Sequence, residues 1–405
     1  WRVEEPNTFG TGEYIAFCRQ VGCEPYICAN AGSGSAEEMS DWVEYCNLET
    51  QGLFAKRRAA HGSADPYRVR YWSIGNENYL GGEIGAKSPE EWGRLVAEAS
   101  KMMKRADPSI ELSAAATGDL EWNISLLRNA GERLSWLSLH QYWDGLWQKN
   151  DYADYEACMA YTNTLETQVK KVRGLLTAMG LEKQIRIAFD EWNLRGWHHP
   201  SLQSADPAEY LKTRDLNDEN RRYTMADAVF TGCFLNMCLR NCDLVGMANF
   251  APAVNTRGCI FTHPEGIVLR STYHVFDLYV NELGETVLDA YSEEQPRLRF
   301  RSKEGKAVES AGLDVIATID MKEEVVVAAV NKDPRNMHKL EFEWFGASMP
   351  WRYTIRTLMG KETESYNDIN HNDAVPGAPI VSNYSPVTAI VLPPHSVNII
   401  RFMNQ

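Results

Sequence analysis

The sequence predicts an α/β chain: a (β/α)8 (TIM) barrel, N-terminally incomplete because its first two strands fall outside these residues, followed by an all-β, jelly-roll-like C-terminal sandwich. Three observations lead there. From residue 8 to about 285, helix-period segments alternate with short runs apolar on both faces, the mark of a parallel sheet covered by helices. Polar and chemically versatile residues gather at the C-terminal ends of those runs, where a barrel assembles its site. After about residue 285 the texture changes to period-two alternation broken by turn formers. The domains are therefore expected at 1–285 and 286–405.

Taken in order, helices are predicted over 11–21, 35–47, 88–106, 156–179 and 219–241. Ser35 with Glu38 and Ser88 with Glu91 have capping-box spacing, and Pro89 suits a first helical position. Met39, Trp42, Val43 and Cys46 recur at helical spacing, as do Trp92, Leu95, Val96, Ala99 and Met103, so each of these two helices has one buried face. Strands are predicted over 24–30, 69–77, 110–116, 134–142, 185–191 and 244–252. Six units of about 38 residues leave two to complete an eight-stranded barrel, on the order of 80 residues on the N-terminal side. The later β patterns fall at 313–319, 324–331, 339–344, 351–358 and 388–402, separated by turns such as Asn331-Lys332-Asp333-Pro334.

With 405 residues, 44% of them hydrophobic, the chain can bury a large core. A formal charge of −14 argues against nucleic acid or an anionic membrane surface as partner and favours a neutral or cationic ligand. Twelve Trp and 18 Tyr suit stacking on sugars and equally suit a large core. Nine cysteines without a C-x-x-C pair, most within apolar runs, read as reduced thiols of a cytoplasmic protein. No apolar run is long enough to span a membrane. Neither a phosphate-binding loop nor a metal cluster is apparent, and no cofactor is expected.

Chemistry concentrates in two stretches, RYWSIGNE at 70–77 and FDEWN at 189–193. Each places a glutamate where an apolar run gives way to polar residues. Glu77 and Glu191 end the second and fifth visible runs, three units apart, and so fall on barrel strands four and seven once two preceding strands are counted. Paired carboxylates hydrolyse glycosidic bonds: at about 5 Å one attacks the anomeric carbon while the other protonates the leaving oxygen, and a wider gap admits water for inversion. His140 and Tyr142, two apart on one predicted strand, share a face. Asn30 ends the first visible strand, where it either lines the pocket or holds the Gly32–Gly34 turn. Trp197, followed by His198 and His199, is a possible sugar platform. Asp190 is expected on the strand face opposite Glu191, with a structural role.

Glutamates on strands four and seven, the first after an asparagine, mark a large clan of glycoside hydrolases. Within it the sequence resembles family 51, the α-L-arabinofuranosidases. Beyond the two catalytic motifs, the segments at 7–47, 223–255, 271–279 (STYHVFDLY) and 392–402 (LPPHSVNIIRF) are similar to that family, so the resemblance covers nearly the whole chain. It implies a retaining mechanism with Glu191 as nucleophile and Glu77 as acid/base, the charge of Glu191 favouring the protonated acid at the start of the cycle. It implies that Asn76 bonds the sugar hydroxyl beside the reacting carbon and that Tyr142 bonds the nucleophile. For His140, a core hydrogen-bonding role and a substrate contact stand side by side. The implied substrate is an arabinose-containing oligosaccharide or polysaccharide, and the implied assembly a homo-oligomer, trimer or hexamer. Two other readings share these features: an endo-β-glucanase or xylanase on the same scaffold, and a non-catalytic carbohydrate-binding or assembly subunit.

Overall fold

The computed structural model describes the chain except residues 1–3, 5, 50, 147–150, 199–207, 209–211, 213, 294, 346–348 and 405. Its helices are α1 (Thr11–Val21), α2 (Ala36–Asn47), α3 (Leu53–Ala60), α4 (Pro89–Ala106), α5 (Leu120–Ala130), α6 (Tyr155–Tyr161), α7 (Thr167–Met179), α8 (Met225–Arg240) and α9 (Ser271–Glu282). One sheet has the strand order β1 (Tyr26–Ala29), β2 (Tyr71–Ile74), β3 (Glu111–Ala115), β4 (Trp136–Asp144), β5 (Arg186–Arg195), β6 (Val245–Phe250). Sequential strands lie side by side with helices between them, as the alternating pattern predicts. The described chain divides into two compact units, Trp1–His140 with Gln168–Asp190, and Gln141–Thr167 with Glu191–Gln405.

In the first unit β1, β2, β3 and the start of β4 pair in parallel, Tyr26 opposite Tyr71 and Tyr71 opposite Glu111. Both predicted capping boxes form: Ser35 and Ser88 accept from the backbone of Glu38 and Glu91, whose carboxylates accept back. Trp72, Trp92, Val96 and Met103 are fully buried, which is what the helical spacing of α4 and the two-sided apolar character of β2 require. The Tyr26 hydroxyl on β1 donates to Asp190 Oδ2 on β5 at 2.7 Å. Side chains from strands that far apart in the sheet order touch only across the inside of a curled sheet, the curvature of a barrel.

The second unit contains α8, buried along most of its length, and a β-rich C-terminal region. Its hairpins are β7 (Ile260–His263) with β8 (Gly266–Leu269), and, after β9 (Thr286–Leu288), β10 (Arg297–Arg301) with β11 (Ala307–Ala311). There follow β12 (Leu313–Ile319), β13 (Val325–Asn331), β14 (His338–Leu340), β15 (Arg352–Met359), the short β16 (Asn367–Asp368), β17 (His371–Asn372) and β18 (Val375–Pro376), then β19 (Ile380–Asn383), β20 (Ile390–Leu392) and β21 (Ser396–Met403). An antiparallel sheet runs β18-β15-β21-β13-β12-β9, with β19 also on β15. The β14–β20 ribbon closes one face over Ala329, Ile355, Ile400 and Phe402, so the second layer of the expected sandwich is a ribbon. Among the described residues no helix is long and apolar enough to cross a membrane.

Several predicted elements differ, each for a local reason. The 156–179 helix breaks into α6 and α7 because Thr162 and Thr164 turn their hydroxyls onto the carbonyls of Met159 and Tyr161, competing with helix continuation. The 219–241 helix starts only at Met225, where Thr224 and Asp227 form a capping box. The 388–402 strand is interrupted by Pro393-Pro394 and by His395 at φ 39°. The strand at 185–191 runs on to Arg195, because Trp192, Asn193, Leu194 and Arg195 all find buried surroundings.

Arg195 anchors this extension. Its Nε and Nη2 donate to Asp227 at 2.8 and 3.0 Å and its Nη1 to Asp144 at 3.1 Å, and Lys303 Nζ reaches Asp144 at 2.5 Å. Asp144, Arg195 and Asp227 are fully buried, so removing one partner strands a charge. Asp227→Ala is expected to lower unfolding free energy by about 3–5 kcal/mol, read by urea denaturation.

Candidate active site

In the first unit the backbone turns sharply after β2. Gly75 has φ 69° and Glu77 φ 48°, a left-handed conformation rare for a glutamate and a common sign of a functional position. Gly75 is obligatory, since a Cβ there would lie 2.2 Å from Asn78 Oδ1 and 2.5 Å from Trp92. Asn78, buried, holds the turn: its Oδ1 accepts from the Asn76 backbone at 3.0 Å and its Nδ2 donates to Ala31 O and Gly85 O. Thus presented, Glu77 Oε1 meets His140 Nδ1 at 2.9 Å, with the Tyr79 hydroxyl at 3.4 Å. The other ring nitrogen of His140 lies 3.5 Å from Asp190 Oδ1. Burial, then the Asp190 charge, pushes the Tyr26 phenol well above its ordinary value, so it stays a donor to Asp190. His140 therefore sits between two carboxylates, one of them held by a phenol.

In the second unit Glu191 is borne by β5 between residues that fix the strand. Trp192 stacks on Phe234 at 3.8 Å and meets Phe250 edge-on at 5.1 Å. Asn193 donates to the carbonyls of Ala251 and Arg257. The Tyr142 hydroxyl donates to Glu191 Oε1 at 2.5 Å and accepts from Arg257 Nη2 at 2.8 Å. The Tyr142 phenol is raised far above its usual range by burial, with Arg257 opposing and Glu191 reinforcing the shift. It therefore stays protonated and donates to the carboxylate.

The remaining expected site residues divide. Asn76 is exposed beside Glu77, open to a ligand. Asn30 takes the turn role: its Oδ1 accepts from Gly32 N and Ser33 N, and its Nδ2 donates to Ser33 Oγ. Trp197 is half-buried, with the Arg257 guanidinium 5.2 Å from its ring centre. His198 is buried edge-on against Tyr152, and His199 lies outside the described residues. Asp190, expected to have a structural role, accepts from Tyr26 and lies 3.5 Å from His140. Asn78, Tyr26 and Arg257 were not anticipated. The two non-glycine left-handed residues before Arg257 have no sequence mark beyond the Asn255 that begins the turn.

Comparison with known proteins follows the same residues. The model of the α-L-arabinofuranosidase C-terminal domain matches residues 190–396, and that of the α-L-arabinofuranosidase 1 domain matches residues 1–159. The chain is 29% identical over 342 residues to an intracellular exo-α-(1→5)-L-arabinofuranosidase of Halalkalibacterium halodurans, covering 82% of this chain and 66% of that protein. It is 32% identical over 285 residues to a Streptomyces lividans protein of the same description, covering 67% of this chain and 42% of that one. It thus spans less than two thirds of these curated relatives. Among solved structures, an arabinose complex of the Thermotoga maritima α-L-arabinofuranosidase superposes with a TM-score of 0.83 at 27% identity, over 99% of this chain and 80% of that one.

Proposed function

Because the chain belongs to the α-L-arabinofuranosidases of glycoside hydrolase family 51, we propose that it is a retaining, exo-acting α-L-arabinofuranosidase. It removes terminal arabinofuranosyl units from oligosaccharides or plant polysaccharides. The observation that carries this reading is that β4 supplies each glutamate with a partner, His140 for Glu77 and Tyr142 for Glu191. In the first step the Glu191 carboxylate attacks the anomeric carbon and Glu77 gives its proton to the departing oxygen. The product is a glycosyl ester on Glu191. In the second step Glu77, now ionised, takes a proton from water, the water oxygen bonds to the anomeric carbon, and the ester bond to Glu191 breaks. Tyr142 steadies the carboxylate that attacks first and leaves last, and the role assigned to Asn76 is a bond to the neighbouring sugar hydroxyl, a contact that strengthens as charge develops.

The names of the relatives support an intracellular setting, and we assign the protein to the cytoplasm, acting as a homo-oligomer of three or six copies by resemblance to the family. The test is product analysis on nitrophenyl α-L-arabinofuranoside, α-(1→5)-arabino-oligosaccharides, xylan and β-glucan. Arabinose is the expected sole monosaccharide released, alongside nitrophenol from the aryl glycoside and the shortened or debranched glycan from the others. Internal cleavage of xylan or glucan would replace this reading with the endo-acting one, and absence of turnover on all four would leave a carbohydrate-binding subunit.

A further inference from the structure

The loop after β6 holds two successive non-glycine residues in the left-handed region, Asn255 at φ 61° and Thr256 at φ 46°. For a β-branched threonine that conformation is an outlier, and it persists only where the surroundings over-determine it. Here they do. Asn255 Oδ1 accepts from the backbone and hydroxyl of Thr262 at 2.8 and 2.9 Å, and the Thr256 amide donates to Asp218 at 2.9 Å. The buried Arg270 donates to the carbonyls of Thr256 and Gly258. Gly258 admits no side chain, since a Cβ would lie 2.8 Å from Ala253 and Asn255. Asn193, two residues beyond Glu191 on β5, donates to the Arg257 carbonyl at 3.1 Å. The loop is thereby pinned to the strand that bears the nucleophile, and the side chain it delivers is Arg257.

Arg257 is 7% exposed. Its Nη2 donates to the Tyr142 hydroxyl at 2.8 Å, and its guanidinium lies 4.7 Å from the Tyr142 ring centre and 5.2 Å from that of Trp197. Its Nε and Nη1 find no hydrogen-bond partner among the described residues. A buried cation is costly without compensation, and among the described residues the polar side chain bonded to this one is the phenol already bonded to Glu191. We infer that Arg257 is a positioning residue for the nucleophile: it orients the Tyr142 phenol onto Glu191 and brings its positive charge to that pair. The inference rests on the assignment of Glu191 as nucleophile. Among the described residues Arg257 and Glu191 are the charged groups bonded to the Tyr142 phenol, so the three form a unit whose members are not interchangeable.

The test compares wild type with Arg257→Met, Arg257→Lys, Tyr142→Phe and the Tyr142→Phe/Arg257→Met double variant, with melting temperature as a check on folding. Losing a nearby positive charge disfavours a carboxylate, so in Arg257→Met the acid limb of the kcat/KM profile on nitrophenyl α-L-arabinofuranoside moves up by about one pH unit. kcat falls about 10- to 100-fold, with a smaller change in KM. Arg257→Lys keeps the charge and loses the fork, so its acid limb stays near wild type while kcat falls. The double variant is no worse than Tyr142→Phe alone if Arg257 acts through the phenol. An acid limb unmoved in a folded Arg257→Met, or strictly additive losses, overturns the inference while leaving the proposed activity intact. Carbon-13 titration of the Glu191 carboxyl, assigned with Glu191→Gln, reads the same effect without turnover. Its midpoint rises in Arg257→Met, and an unchanged midpoint counts against the relay even if the protein hydrolyses no arabinofuranoside.

Discussion

Glu191→Ala is expected to lower kcat on natural arabino-oligosaccharides by at least about 10⁴-fold, with the fold unchanged. The size follows from the role: without a nucleophile, the covalent route is closed, and only binding and proton donation remain. The fold survives because Glu191 contributes little to packing. The strand is fixed by Trp192 stacked on Phe234, by Asn193 bonded to the loop after β6, and by the Arg195 ion pairs. The variant also frees space beside the Tyr142 hydroxyl. A small anion such as azide, given an activated aryl arabinofuranoside, can attack from there and yield the glycosyl azide of inverted configuration. Undiminished turnover in Glu191→Ala would remove Glu191 from the mechanism, and turnover restored by azide with retained configuration would assign it the other carboxylate role.

What could be read from the sequence was local in every case. The capping boxes of α2 and α4 depend on residues three apart, and the parallel strands on continuous apolar runs, so both appear where expected. Glu77 and Glu191 were legible because each closes or interrupts such a run. The supporting residues were not, for two physical reasons. Some act over long sequence separations that no pattern encodes: Tyr26 and Asp190 are 164 positions apart, Tyr142 and Arg257 are 115 apart. Others depend on backbone geometry that side-chain type hides. Thr256 at φ 46° is a residue type that avoids the left-handed region, and only the hydrogen bonds around it reveal why it occupies that region. Asn30 was ambiguous because a strand-end asparagine before glycines fits both a pocket and a turn, and its bonds to Gly32 and Ser33 show that it holds the turn.

Glu77→Ala is expected to separate the two steps of the reaction instead of abolishing it. A natural glycoside needs a proton on its departing oxygen, so its kcat/KM falls by about 10²- to 10⁴-fold, the usual contribution of a positioned acid. A dinitrophenyl arabinofuranoside leaves without that proton, so its first step stays fast. Its second step is slowed because water then lacks a base, and the glycosyl ester on Glu191 accumulates as an initial burst. Azide, which needs no base, should restore turnover and give the azide of retained configuration, opposite in outcome to Glu191→Ala. His140→Ala discriminates further. If His140 serves by holding Glu77 at 2.9 Å with Asp190 behind it, the variant follows the leaving-group pattern of Glu77→Ala at smaller magnitude. If it contacts sugar instead, it raises KM equally for good and poor leaving groups. Loss of kcat/KM in Glu77→Ala that is independent of the leaving group would show that this carboxyl does not carry the proton, whatever holds it in place.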